Sequence, residues 1–239
     1  MKVVSGLMRS YLLPLLLFGM SPAFAQTPGT EDTSFNIASL SQSFPALGVQ
    51  PDGSILVATG IPTGGGLTLR RYQPNGAPDS SFTVSGPLAD RVGVPYRILV
   101  DPLARIYVAG TYHTQYASPD SVRNETGTVI VRFLANGTFD TNFGEGGYLR
   151  HSYYVETNPS SPSSPPVVRE EGVSGTTGVA DFGLLPDGKL LVVGGSRNNP
   201  NSLLVARYDV DGRLDTSFGA NGSREVGLGE ALEQFVLQI

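Results

Sequence analysis

The sequence predicts an all-β protein: a propeller-like array of three antiparallel sheet repeats with partial strands at its two ends. Three observations carry this. The phrase Asp-[Thr/Ser]-[Ser/Asn]-Phe recurs at 32–35, 79–82, 140–143 and 215–218. The last three copies close longer blocks that match one another along their length. Glycine (30 residues) and proline (18) are abundant while helix formers are sparse, which favours many short strands joined by turns.

The first element is a targeting segment. Lys2 and Arg9 precede the apolar run YLLPLLLFGM, and SPAFA then offers Ala23 and Ala25 ahead of Gln26. This is the signal-peptide pattern, with cleavage expected after Ala25 and a short leader at 26–30. The run is too short and too interrupted by proline to span a bilayer, so no membrane span is expected in the mature chain. Export, to the periplasm or the extracellular space, follows. The chain has no cysteine, so packing and hydrogen bonds alone must hold it. Its net charge is −5, and −7 once Lys2 and Arg9 leave with residues 1–25. An acidic surface argues against nucleic acid or an anionic membrane as partner.

The β-repeat region spans 31–239, with units at about 45–86, 96–150 and 179–227. Each unit opens on a turn: QPDGS at 50–54, DPLAR at 101–105 and LPDGK at 185–189. Proline presets φ, aspartate bonds the backbone, and glycine accepts φ > 0. The runs ILVATG, IYVAG and LLVVGG follow, apolar throughout, as strands covered on both faces are. LTLRRY, VIVRF and LLVARY are the next strands, each ending in an aromatic. Asn-Gly or Asp-Gly then marks a hairpin.

The recurring phrase closes each block. An Asp side chain there (Asp32, Asp79, Asp140, Asp215) accepts from the backbone N–H groups after it and fixes a short turn. The aromatic that follows (Phe35, Phe82, Phe143, Phe218) is thereby aimed, and is expected to wedge between adjacent units. Burying one such ring contributes about 1.5–3 kcal/mol. Arg71, Arg132 and Arg207 recur beside the strand-ending aromatic. The preferred reading is an internal ion pair with the recurring Asp; a ring of arginines for an anionic ligand is the alternative.

The succession PDGKLLVVGG…LLVARYDVDGRLDTSFGANG resembles the delta-60 repeat family over almost a full unit, and the resemblance covers about residues 31–239. It implies an exported bacterial protein with a propeller-like or related all-β fold, and no transferable activity or catalytic residue. The second unit departs from the pattern, with DPLAR where PDGK is expected. The C-terminal EQFVLQI (233–239) aligns with the segment before a PDG turn. It either begins a further unit or pairs with the segment after Phe35. Unclosed, the array would have open edges through which chains can self-associate.

Two connections swell, at 111–127 and 152–178, and in a four-stranded unit they fall on the same edge. They bring Tyr112, His113, Tyr116, His151, Tyr153 and Tyr154 to one region, the expected binding face. SSPSSPP (160–166) has the composition of a disordered linker. Asp209, Asp211 and Asp215 echo the start of a calcium loop, but the other units do not keep the acids and the bidentate Glu is missing, so turn chemistry is the better reading. No nucleophile motif, P-loop, dinucleotide fingerprint or zinc-protease motif is present, and no cofactor is expected. The leading function is a non-enzymatic binding scaffold for a glycan, peptide or protein surface. A structural or adhesive array is the second, and an extracellular propeller hydrolase or lyase the third.

Overall fold

Proline and glycine make up about one residue in five of the chain, and the backbone turns where they cluster. The computed structural model describes residues 46–60, 66–85, 93–119, 121–158, 167–171, 176–196 and 199–227. All belong to one unit, Ser34–Ile239. The signal segment, the leader, Asp32, Phe35, the SSPSSPP tract and EQFVLQI lie outside the described residues. Among the described residues no helix is long and apolar enough to cross a membrane.

The strands form three antiparallel meanders. The first sheet is β1 (Ala46–Val49), β2 (Ile55–Thr59) and β3 (Thr68–Tyr72). The second is β4 (Pro95–Val100), β5 (Ile106–Ser118), β6 (Ser121–Phe133), β7 (Tyr148–Thr157) and β8 (Val167–Glu171). The third is β9 (Thr176–Leu184), β10 (Leu190–Ser196), β11 (Ser202–Tyr208) and β12 (Ser223–Gly227). Within each sheet every strand pairs with its neighbours in sequence, as hairpin-forming turns dictate.

The turns that open the repeats are superimposable in their bonding. Gly53 N–H donates to Gln50 O at 2.9 Å, Ala104 to Asp101 O at 2.8 Å, and Gly188 to Leu185 O at 2.9 Å. The departure DPLAR therefore keeps the turn, with Ala104 held at φ 59° where the other units have glycine. Asp101 supports this conformation by accepting from Leu103 N at 3.0 Å and Arg105 N at 2.8 Å.

The continuous apolar runs make sense in the second sheet. Ile106 and Val108 join Leu56, Leu69 and Phe82 in a core toward the first sheet. Tyr107 and Ala109, between them in sequence, join Phe143, Leu190 and Val192 in a core toward the third. A strand alternates faces with period two, so one sandwiched between two sheets must be apolar at every position.

The second sheet also departs from expectation. The connection 111–127 is not a loop: β5 continues to Ser118, and β6 starts at Ser121 in unbroken register, from Ile106↔Phe133 to Ser118↔Ser121. The segment 152–178 likewise begins by prolonging β7 to Thr157 and adds β8 beside it. Both insertions extend one sheet past its neighbours. TYHTQYAS carries Thr111, Tyr112, Thr114 and Tyr116, β-branched and aromatic residues that suit a strand, while SVRNET has only Val122 and Thr126.

Candidate functional site

Two arrangements of polar residues stand out: one repeats with the fold and one does not. The repeating one is built on the Asp-x-x-Phe turn. Arg71 Nε pairs with Asp79 at 2.7 Å, Arg132 Nε with Asp140 at 2.7 Å, and Arg207 Nε with Asp215 at 2.9 Å. The other oxygen of each carboxylate accepts from the backbone N–H two residues on, in Ser81 (2.9 Å), Asn142 (3.2 Å) and Ser217 (3.1 Å). Each guanidinium stacks over the following Phe ring, at 4.6 Å for Phe82, 4.5 Å for Phe143 and 4.8 Å for Phe218. The arginines are thus engaged inside the fold by the recurring Asp. The Ser81 hydroxyl, then its N–H and Arg71, hold Asp79 below the usual carboxylate range. The Ser217 hydroxyl and Lys189 do the same, more strongly, for Asp215.

Phe82 lies in the core between the first and second sheets, and Phe143 in that between the second and third. Each ring lies against the hairpin glycine of the next repeat. A Cβ on Gly137 would come within 2.9 Å of Phe82 Cε2, and one on Gly212 within 2.8 Å of Phe143 Cε2. Both glycines have φ > 0 and no room for a side chain, which explains the Asn-Gly and Asp-Gly turns.

The aspartates that echo a calcium loop are taken up in the same way. Asp209 Oδ1 accepts from Asp211 N at 2.9 Å and Arg213 N at 2.8 Å, so it caps a turn. Among the described residues no group of three or more metal-ligating side chains is close enough to hold an ion.

The repeating parts define the chain's relationship. Residues 50–82, 105–143 and 185–218 match a family described as a beta-propeller domain of unknown function, DUF5122. Each of the three antiparallel sheets carries one of these matches, so the fold is a propeller-like array. Each match begins in the opening turn and ends on the Phe of the Arg–Asp–Phe cluster. What it carries is the propeller repeat, not the delta-60 name. No curated protein matches the chain.

The arrangement that does not repeat lies on the extension of the second propeller repeat. Tyr116 and Ser118 on β5, Ser121, Arg123 and Glu125 on β6, and Arg150 and Glu156 on β7 line a pocket of about 460 Å³. Glu125 is buried and clamped by two guanidinium groups, Arg123 Nη2 at 2.9 Å and Arg150 Nη1 at 3.5 Å. Arg123 lies 5.8 Å from the centre of the Tyr116 ring, and Arg150 5.2 Å from that of Tyr148. At the lip, the Ser121 hydroxyl donates to Glu156 at 2.5 Å. Two cations and two carboxylates balance, so the lining is polar and fixed without a net charge.

Of the six residues expected to form a binding face, five lie on the extended strands β5 and β7, and His151 is buried. Tyr116 lines this pocket and is exposed. Tyr112 pairs with Gly127, Tyr153 with Thr126 and Tyr154 with Glu125 along the extended sheet. His113 is exposed on β5, paired with Thr126. His151 is not on a binding face: it is buried between the second and third sheets, its Nε2 2.7 Å from the Tyr208 hydroxyl. Burial pulls its pKa down to about 4 and pushes that of Tyr208 well up. Sequence reasoning missed Arg123, Glu125, Arg150 and Glu156. Their signal was the alternation of β6 and β7, legible only once the insertion is read as strand.

Proposed function

We propose that the chain is an exported, non-enzymatic binding scaffold that holds a neutral, hydroxyl-rich ligand, a glycan, on the extension of its second propeller repeat. The observation that carries this is the polar pocket of Tyr116, Arg123, Glu125, Arg150 and Glu156 on strands that outgrow the repeat. Repeats need their shared residues to stack; a surface added to one repeat alone is available for recognition. The buried Glu125 fixes both arginine forks, so their geometry is set before a ligand arrives. Balanced charge disfavours an ion and suits vicinal hydroxyls, which both accept from guanidinium groups and donate to carboxylates. Tyr116 presents an exposed aromatic ring at the rim for the apolar face of a sugar. The segment with Lys2, Arg9 and Ala23-Phe24-Ala25 supports export.

A screen of neutral and acidic oligosaccharides against residues 26–239 tests this. The expected result is retention of neutral saccharides in unaltered form, weakened about tenfold or more by Tyr116→Ala. Because that side chain is exposed, the variant should unfold at the parent's temperature. No retention, or equal retention by Tyr116→Ala, would remove the reading. Shortened saccharides after incubation would replace it with an enzyme.

A further inference from the structure

Strand β5 has β6 beside it along its whole length, but its other edge is covered only part of the way. β4 pairs with it from Val100↔Ile106 to Pro95↔Gly110. The last bonds on that side run from Thr111 N to Val94 O at 2.9 Å and from Gly93 N to Thr111 O at 2.7 Å. In an antiparallel ladder the N–H and C=O of one residue point to the same side, and successive residues alternate sides. The register with β6 continues to Ser118 without a bulge. His113, Gln115 and Ala117 therefore turn their main-chain groups the same way as Thr111, away from β6. Among the described residues nothing pairs with them there, and all three are exposed.

An open edge of this kind is usually guarded by charge, proline or a bulge. The last strand of each sheet has charge: Arg70 and Arg71 on β3, Arg169, Glu170 and Glu171 on β8, Arg224 and Glu225 on β12. The stretch HTQYA at 113–117 has no acid, lysine, arginine or proline. Its two ends also complement each other. Antiparallel pairing of two such stretches about Gln115 sets His113 opposite Ala117, and beyond that Thr111 opposite Pro119. Thr111 is already engaged by β4, and Pro119 has no N–H to offer. The open length of one copy thus matches that of another at both limits, and no charge on either opposes their meeting.

We infer that the outer edge of β5 at 113–117 docks a second copy of this chain, the two strands pairing antiparallel across a two-fold axis at Gln115. His113 then exchanges both main-chain hydrogen bonds with the partner's Ala117, and Gln115 does so with the partner's Gln115. Residues that face each other across such a pair project to the same side of the sheet. Thr114 faces the partner's Tyr116, so the two Tyr116 rings lie on one face of the joined sheet. Tyr116 lines the polar pocket, and the two pockets of the dimer therefore open on the same side. Two neighbouring segments of one polymer could be held at once, with the gain in avidity that linkage gives. That consequence rests on the pocket's being a glycan site; the pairing of the edges does not.

Sedimentation equilibrium of residues 26–239 without saccharide, from about 1 to 300 μM, tests this. A reversible monomer–dimer equilibrium is expected. Gln115→Lys and Gln115→Glu should each weaken it about tenfold or more, because like charges then face each other at the axis. Mixing the two variants should restore a dimer, because the facing charges are then opposite. Gln115→Pro removes an N–H only on the open side of the strand, where proline is tolerated, and should be monomeric. Thermal unfolding shows that each variant is folded. A parent that stays monomeric at every concentration would overturn the inference. So would association that the folded variants leave unchanged, or a mixture that associates no more tightly than either variant alone, because the contact would then lie elsewhere. Saccharide retention by a strictly monomeric chain would remove this inference and leave the pocket reading standing.

Discussion

The contact between the first and second sheets and that between the second and third use equivalent residues, yet they differ in depth. Arg71 and Asp79 are 16% and 17% exposed at the first, while Arg132 and Asp140 are 3% and 7% exposed at the second. The difference comes from residues the repeat does not fix. Where the first sheet has Leu56, the second has Tyr107, which packs edge-on against Phe143 at 5.6 Å. The Tyr107 hydroxyl lies 3.5 Å from Arg132 Nη1 and 3.4 Å from Asp101. The second contact adds the buried His151–Tyr208 bond. The shared grammar supplies the joint; private residues decide how dry it is and hence how much each part is worth.

Phe143→Ala is expected to have the largest effect, about 3–5 kcal/mol lost in denaturant unfolding, because a fully buried ring leaves a cavity that its neighbours cannot fill. Phe82→Ala should cost less, since Arg71 above it already meets water. Equal losses would mean that burial at the joint rim does not set its strength. Asp140→Asn comes next, at about 3 kcal/mol, because it strands a guanidinium that water cannot reach. Asp79→Asn should cost clearly less, and salt should blunt its effect more.

Much of this joint was legible in the sequence. The Asp turn, the wedge and the Arg–Asp pair each follow from one residue type recurring at fixed spacing, and repetition separates such a signal from chance. The long strands of the second repeat were not legible in the same way, because nothing in the other repeats resembles 111–127. Gly127 and the pair Ser118 and Pro119 read as loop punctuation there, yet register with β7 carries the strand through Gly127, paired with Ser152. Glu125 would pass as a solvated charge; only the pairing of β6 with β7 places Arg150 beside it. His151 next to an insertion suggests exposure, but burial depends on the third sheet, whose Tyr208 is 57 residues away.

That histidine gives the comparison its sharpest chemical handle, because the contact between the first and second sheets has no equivalent. Unfolded, it titrates near 6.5; folded, burial holds its pKa down to about 4. The unfolded chain therefore binds the extra proton first, and stability falls as pH drops from about 6.5 toward about 4, then levels off for this group. At pH 5 the loss relative to pH 7.5 is about 2 kcal/mol. Asp79 and Asp215, both held low, retain their contributions at that pH and lose them only in stronger acid. Unfolding followed between pH 7.5 and 5 should show this slope in the parent and lose most of it in His151→Gln, which keeps a hydrogen-bonding group for Tyr208. Hydrogen exchange should place the loosening at β7 and β11, with β2 and β3 unchanged. A slope that survives His151→Gln, or exchange that rises equally at both contacts, would show that the acid response belongs to the shared joint and not to the private residue.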